Sequence, residues 1–160
     1  MCAVLSYVLG EGLLHLDVKP SNIMYNDGHA TLFDFSVAEE YSEDTPLRDN
    51  AGTVEYMAPQ QTFRREVGYA TDVFGLGVVL YQLLTGGEFP YPVVKRPIPG
   101  RGDEPRRLFD YDVRPRPTAE INTAVPPALG DATMKPNDPD MGARYPTPAG
   151  FGASLSELRP

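Results

Sequence analysis

Four polar side chains crowd into one short stretch, His15-Leu16-Asp17-Val18-Lys19-Pro20-Ser21-Asn22 followed by Ile23 to Asp34, and no other part of the chain restricts the fold as much. Asp17, Lys19, Asn22 and Asp34 would be costly to bring together without a chemical task. Residues 23–25 (Ile-Met-Tyr) and 30–33 (Ala-Thr-Leu-Phe) read as two short strands, and Asn26-Asp27-Gly28-His29 between them has hairpin-turn chemistry. Asn22 and Asp34 are equally far from Gly28 in sequence, so a hairpin folded at that glycine sets the amide of one beside the carboxylate of the other. These are hard oxygen ligands of the kind Mg2+ takes together with phosphate oxygens. Asp17 and Lys19 lie on the loop that leads into the pair.

The flanking segments supply a scaffold. Val4, Leu5, Val8 and Leu9 recur at helical spacing, and Gly10 and Gly12 are stop signals, so Met1 to Leu9 reads as the tail of a helix. It has no basic residue before its apolar run and no small-residue cleavage pattern after it, which sets a signal peptide aside. Ala70 to Thr85 is helical and apolar nearly all round, the pattern of a helix at the centre of a core. Thr71 or Asp72 is placed to cap its start, and Gly86-Gly87 to end it. All but Pro20, Pro46 and Pro59 of the 17 prolines lie from Pro90 onward. Tyr91 to Pro117 accordingly reads as a long, poorly ordered connection with at most one helical turn near Arg106 to Asp110. Gly100-Arg101-Gly102 within it reads as a loop, since it lacks the flanking strand and helix of a nucleotide-binding glycine motif.

The bulk properties exclude several classes. A net charge of -8 argues against nucleic acid or an anionic membrane surface as the main partner. The longest apolar run, Val73 to Leu84, is interrupted by glycines and Gln82 and is shorter than the roughly 20 residues a membrane span needs. Cys2 is the only cysteine, which rules out an intrachain disulfide and makes a cytoplasmic setting the expectation.

The residues from His15 to Asn22 resemble the catalytic loop of the protein kinase family, and Asp34-Phe35-Ser36 resembles its Asp-Phe-Gly magnesium motif. Gly52-Thr53-Val54-Glu55-Tyr56-Met57-Ala58-Pro59-Gln60 resembles the end of the family's activation segment, and Asp72 to Gly77 the start of its buried central helix. The segments Glu120 to Leu129, Asp138-Pro139 and Ala143 to Pro146 are similar to the last helices of bacterial-type serine/threonine kinase domains, with Lys135-Pro136 interrupting one of them. What the resemblance implies is an α+β fold: the large C-terminal lobe of a kinase, mostly α-helical, with a short β-hairpin at the catalytic cleft and the small N-terminal lobe absent. It divides the chain into a catalytic core at 1–89, a Pro/Gly-rich connection at 90–118 and degenerate C-terminal helices at 119–160.

The resemblance also implies roles. Asp17 would orient the substrate hydroxyl and accept its proton, and Lys19 would offset charge on the transferred phosphate. The place of Lys19, two residues after the aspartate, is the serine/threonine pattern. Asn22 and Asp34 would hold Mg2+ against ATP, and Met24 would form part of the adenine floor. Thr53 would hydrogen-bond Asp17 and Lys19, although an ordinary turn threonine fits the same residues. Asp72 would hold the catalytic-loop backbone, although a simple N-cap also fits. His15 and Phe35 would pack the loop against the central helix, and His29 would be exposed. The implied activity is ATP- and Mg2+-dependent phosphoryl transfer to serine or threonine of a protein substrate, with the 160-residue chain inactive in isolation because no glycine-rich loop or strand lysine precedes the catalytic loop. The alternative is a non-catalytic, pseudokinase-like binding module.

Three residues depart from the family pattern. Ser36 stands for the glycine after Asp34-Phe35, and Gln60 for a glutamate whose expected partner is Arg144. Leu16 stands for the arginine that gathers an activation-segment phosphate, so phosphorylation at Ser42 or Thr45, beside Arg48, is not expected to switch activity.

Overall fold

A computed structural model describes residues 1–41, 52–63, 67–98 and 102–158. Ser42, Thr45, Arg48, Gly100 and Arg101, on which sequence expectations fell, lie outside these residues. The chain opens with helix α1 (Cys2–Gly10), which buries Leu5 and Val8 from the expected apolar face, and leaves it through Gly12 at φ 73°. Strand β1 (Leu13–Leu14) pairs antiparallel with β4 (Glu39–Glu40) and brackets the stretch from His15 to Asp34.

Between them, β2 (Ile23–Asn26) and β3 (His29–Leu32) form the expected hairpin. Asn26 pairs with His29, and Asp27 and Gly28 occupy the turn at φ 47° and 79°. Two successive left-handed residues match the twist of the flanking strands, which is why aspartate and glycine serve here. The hairpin therefore folds between Asp27 and Gly28 and not at Gly28 itself. The Phe33 N–H donates to the Asn22 carbonyl, so Asn22 faces Phe33 and Asp34 lies one residue beyond the pair, a correction to the side-by-side register read from the sequence.

Helix α2 (Pro59–Thr62) is followed by α3 (Tyr69–Thr85), the axis of the molecule. Val73, Phe74 and Val78 of α3 are fully buried. On one flank α3 meets Leu5, Val18, Leu32 and Phe151; on the other it meets Ala58, Tyr91 and Phe109. Burying a large apolar side chain contributes about 1.5–3 kcal/mol, so these two clusters dominate the stabilisation. Close approach is bought with glycine: a Cβ on Gly75 would lie 3.0 Å from the Val18 carbonyl oxygen, and one on Gly77 would lie 2.8 Å from Pro136 Cβ. At the helix start Thr71 Oγ1 accepts from the Gly68 N–H, and at its end Gly86 is left-handed at φ 76°. Asp72 does not cap the helix. Nor is α3 dry throughout, since Leu83 in its last turn is 76% exposed.

The proline-rich segment differs most from expectation. Val93–Arg96 forms β5 and Arg106–Phe109 forms β6, paired antiparallel where at most a helical turn was expected. Phe109 is buried among Phe74, Phe89, Tyr91 and Tyr111, and that aromatic cluster holds the sheet to α3. Helix α4 (Thr118–Ile121) leads to α5 (Pro127–Met134), which stops where Lys135-Pro136 turns into a 3-10 helix, as the missing proline donor requires. Helix α6 (Pro148–Glu157) closes the fold against α1, with Gly152 too near Cys2 for a side chain of its own. No helix among the described residues is long and apolar enough to cross a membrane.

Candidate active site

The loop after β1 is held from below by α3. Asp72, buried in its first turn, accepts from the backbone N–H groups of His15 and Leu16, both at 2.8 Å. Burial pushes the Asp72 carboxyl up, and the two N–H groups and His15 pull it partly back. Leu16 sits at φ 63°, a left-handed conformation costly for a branched side chain. Its neighbours enforce it: Asp72 takes its N–H, Gln61 Nε2 donates to its carbonyl at 2.8 Å, and a Cβ on Gly52 would be 2.4 Å from the same oxygen. The Leu16 side chain is buried with Leu14 against Val37, Tyr41, Val67 and Tyr69, so an apolar contact fills the place of a phosphate-binding arginine.

His15 is buried too. Its Nδ1 accepts from the Asp17 N–H at 3.3 Å, and its Nε2 lies 3.2 Å from the Phe33 carbonyl oxygen, to which it donates. Phe35 packs on that ring edge to face, with centroids 4.8 Å apart. These contacts fix the direction of Asp17.

Among the described residues, three donors reach the Asp17 carboxylate, which is 8% exposed. The Thr53 backbone N–H reaches Oδ1 at 2.7 Å; Lys19 Nζ and Asn22 Nδ2 reach Oδ2 at 2.7 and 3.0 Å. Lys19 Nζ also donates to Thr53 Oγ1 at 2.6 Å. Burial pushes the Asp17 carboxyl up, but the bonds from Lys19 and Thr53 and the ammonium charge outweigh it, and its pKa falls below the ordinary carboxylate value. Thr53 thus meets Asp17 through its main chain and Lys19 through its hydroxyl, contacts a free turn threonine would not make.

Asn22 spends its amide nitrogen on Asp17, donating to the backbone oxygen as well at 3.0 Å, which leaves its side-chain oxygen to act as a ligand. Asp34 is exposed and left-handed at φ 65°. The Ser36 hydroxyl donates to Asp34 Oδ1 at 2.6 Å, and this bond with the Ser36 N–H holds the carboxyl below its ordinary value. Among the described residues no cluster of three or more histidine, cysteine, aspartate or glutamate side chains forms a metal cage. One amide oxygen and one ionised carboxylate instead fit a cation that completes its shell with phosphate and water, as Mg2+ does. Met24, on β2, is 53% exposed.

Two further residues support the site. Gln60 Oε1 accepts from Arg144 Nη2 at 3.2 Å, the partner expected from the sequence. Arg144 also donates to the carbonyls of Ala70, Asp138 and Pro139 and lies 4.8 Å from the Phe74 ring centroid, while burial brings its pKa down to about 10. Gln61 was missed by sequence reasoning. Its Oε1 accepts from the Ala58 N–H and its Nε2 clamps Leu16, and the only sequence signal was a second glutamine in an otherwise apolar turn.

A family model described as protein kinase domain matches residues 1–101. Serine/threonine-protein kinase PknB of Mycobacterium leprae is 31% identical over 160 residues, covering 96% of this chain and 24% of the relative. A probable serine/threonine-protein kinase of Clostridium perfringens is 29% identical over 154 residues, covering 93% of this chain and 21% of the relative. The chain therefore spans between a fifth and a quarter of the length of these curated relatives. The solved structure of the Cydia pomonella granulovirus kinase, PK-1, matches with a TM-score of 0.73 at 21% identity, over 94% of this chain and 52% of that one, a likeness of fold.

Proposed function

The chain belongs to the protein kinase family, and from that premise we propose that it forms the large lobe of a serine/threonine protein kinase, with residues 1–89 carrying the chemistry. The observation that carries this reading is the Asp17 carboxylate with three donors already in place. A carboxylate has about four lone-pair sites, and Oδ1, which takes one of the three donors against two on Oδ2, is the oxygen better placed to receive a substrate hydroxyl. Asp17 orients that hydroxyl and takes its proton as the oxygen becomes acidic on approaching the phosphoryl group, so a low carboxylate pKa is no obstacle. Lys19, braced by Thr53, stands beside the transferred phosphoryl group and offsets its charge. Asn22 and Asp34 would hold Mg2+ with ATP, and Met24 would form part of the adenine floor. When bound, the metal neutralises phosphate charge that the protein alone does not.

A chimera with the glycine-rich lobe of a related kinase placed before Met1 tests the roles. Asp17→Asn is expected to lower kcat by about 10²–10⁴ with little change in the KM for ATP. Asp34→Asn is expected to raise the Mg2+ concentration needed for half-maximal rate. An active chimera indifferent to both changes would refute the assignment. A second reading, a non-catalytic binding module, draws on the Ser36 hydroxyl, which already occupies Oδ1 of Asp34. Ser36→Gly in the same chimera separates the two, because only a catalytic site responds in rate when that oxygen is released.

A further inference from the structure

The β5–β6 sheet is apolar at one end and cationic at the other. Val93 pairs with Phe109 and Val94 with Leu108, whereas Lys95 pairs with Arg107 and Arg96 with Arg106. Like charges directly across a ladder repel, so these two rungs weaken the sheet they belong to. They do so in a chain with 14 Lys and Arg against 22 Asp and Glu, where anionic partners for a cation are plentiful. Some compensation is present. Arg96 lies 3.9 Å from Asp110 and 3.7 Å from Asp112, and Arg107 Nε lies 3.4 Å from Glu55 Oε1. Asp103 and Glu104 are exposed on the connection between the strands. Among the described residues, Lys95 and Arg106 have no ion-pair partner.

The position of this cationic end relates it to the site. Glu55 belongs to the 3-10 turn Val54–Tyr56, which starts directly after Thr53, the residue whose N–H is bonded to Asp17 Oδ1. Arg107 is therefore tied to a point two residues of chain away from the carboxylate's own donor. Cross-strand partners project to the same side of a sheet, so Lys95 shares the face on which Arg107 meets Glu55. An extended peptide advances about 3.3 Å per residue. A peptide with its hydroxyl at Asp17 and its chain running past the 3-10 turn brings side chains a few residues from that hydroxyl alongside Lys95 and Arg107.

We propose that the cationic end of the β5–β6 sheet, with Lys95 and Arg107 as its reading residues, selects protein substrates carrying aspartate or glutamate two to five residues from the phosphorylated serine or threonine. This rests on the proposed kinase function and deepens it by naming the substrate class. The long, exposed stems of both residues let them follow a mobile acidic segment, and the interaction is screened by salt.

Binding by the full 160-residue chain tests this without phosphoryl transfer. Two fluorescent peptides with one central serine are compared by anisotropy, one with aspartate and one with lysine at two to five positions on either side. The aspartate peptide is expected to bind at least about tenfold tighter at low salt, and Lys95→Glu/Arg107→Glu, with an unchanged unfolding midpoint, is expected to reverse the order. Equal affinities, or a preference that survives the double change, overturn the proposal. A photo-crosslinker in place of the serine is expected to label residues 15–22 or 52–57; labelling confined to other segments overturns it as well. Because both readouts are independent of nucleotide, their failure is separable from failure of the kinase reading.

Discussion

Lys19→Met is expected to raise the titration midpoint of Asp17, read from its carboxyl carbon by NMR, because it removes the Lys19 hydrogen bond and the ammonium charge, which together with the Thr53 bonds outweigh burial, and leaves the burial in place. The folded midpoint of Asp17 lies below the ordinary carboxylate value, so the stability tied to its ionised form is in place above about pH 4 and is lost as pH falls through the lowered midpoint. A midpoint unmoved by Lys19→Met would mean that the 2.7 Å ion pair does not set the carboxylate's state. At this scale the sequence was informative because Asp17, Lys19, Asn22 and Thr53 are polar residues in fixed spacings, and spacing survives into contact when a short loop joins them. What was not legible was who donates to whom. That Thr53 meets Asp17 through its main chain, or that Ser36 turns its hydroxyl to Asp34, depends on backbone angles no residue type announces. Leu16 was read as a lost charge; the structure adds the apolar cluster with Tyr41 and Tyr69 that takes its place.

Helix α3 shows why elements were easier to read than their edges. Its run of apolar residues marked a buried helix, and Gly86-Gly87 marked its end, but the length of the run gave no hint that Leu83 would emerge into solvent. The β5–β6 sheet was hidden for a different reason. Lys95, Arg96, Arg106 and Arg107 break the apolar alternation by which a strand is recognised, and Pro90, Pro92 and Pro97 read as loop. Pairing is instead imposed by Phe109 and Tyr111 packing on Phe74, with Tyr91 against both, and by Tyr111 Oη donating to the Met57 carbonyl. The glycines of α3 provide a test at this scale. Gly77→Ala gains helix propensity of up to about 1 kcal/mol but drives a methyl into Pro136, a rigid ring, at a cost of about 1–3 kcal/mol. A net loss of stability is expected in urea unfolding, whereas Gly10→Ala at the end of α1, with nothing within 4 Å, should be neutral or slightly stabilising. Equal effects of the two changes would show that close packing of α3 against the 3-10 turn Lys135–Asn137 does not constrain the fold.

For the molecule as a whole, α3 joins the two apolar clusters to the loop at residues 15–22 through the Asp72 carboxylate and the close packing of Gly75 on Val18, so fold and site share one support. Against a net charge of -8, Lys19 at the loop and the cations at the β5–β6 end are the groups to which the proposed functions assign the capture of anionic partners. On the proposed reading, Asn22 and Asp34 together receive a nucleotide-bound divalent cation beside Asp17. Titrating Mn2+ and ATP into the isotope-labelled 160-residue chain tests it directly, because a paramagnetic ion broadens the amide signals nearest to it even when binding is weak. Broadening is expected to centre on residues 17–24 and 34–36, to need ATP and Mn2+ together, and to vanish in Asp34→Asn. Broadening that ignores Asp34→Asn, or that centres on other residues such as Asp103 and Glu104, would rule out Asn22 and Asp34 as the ligands of the cation.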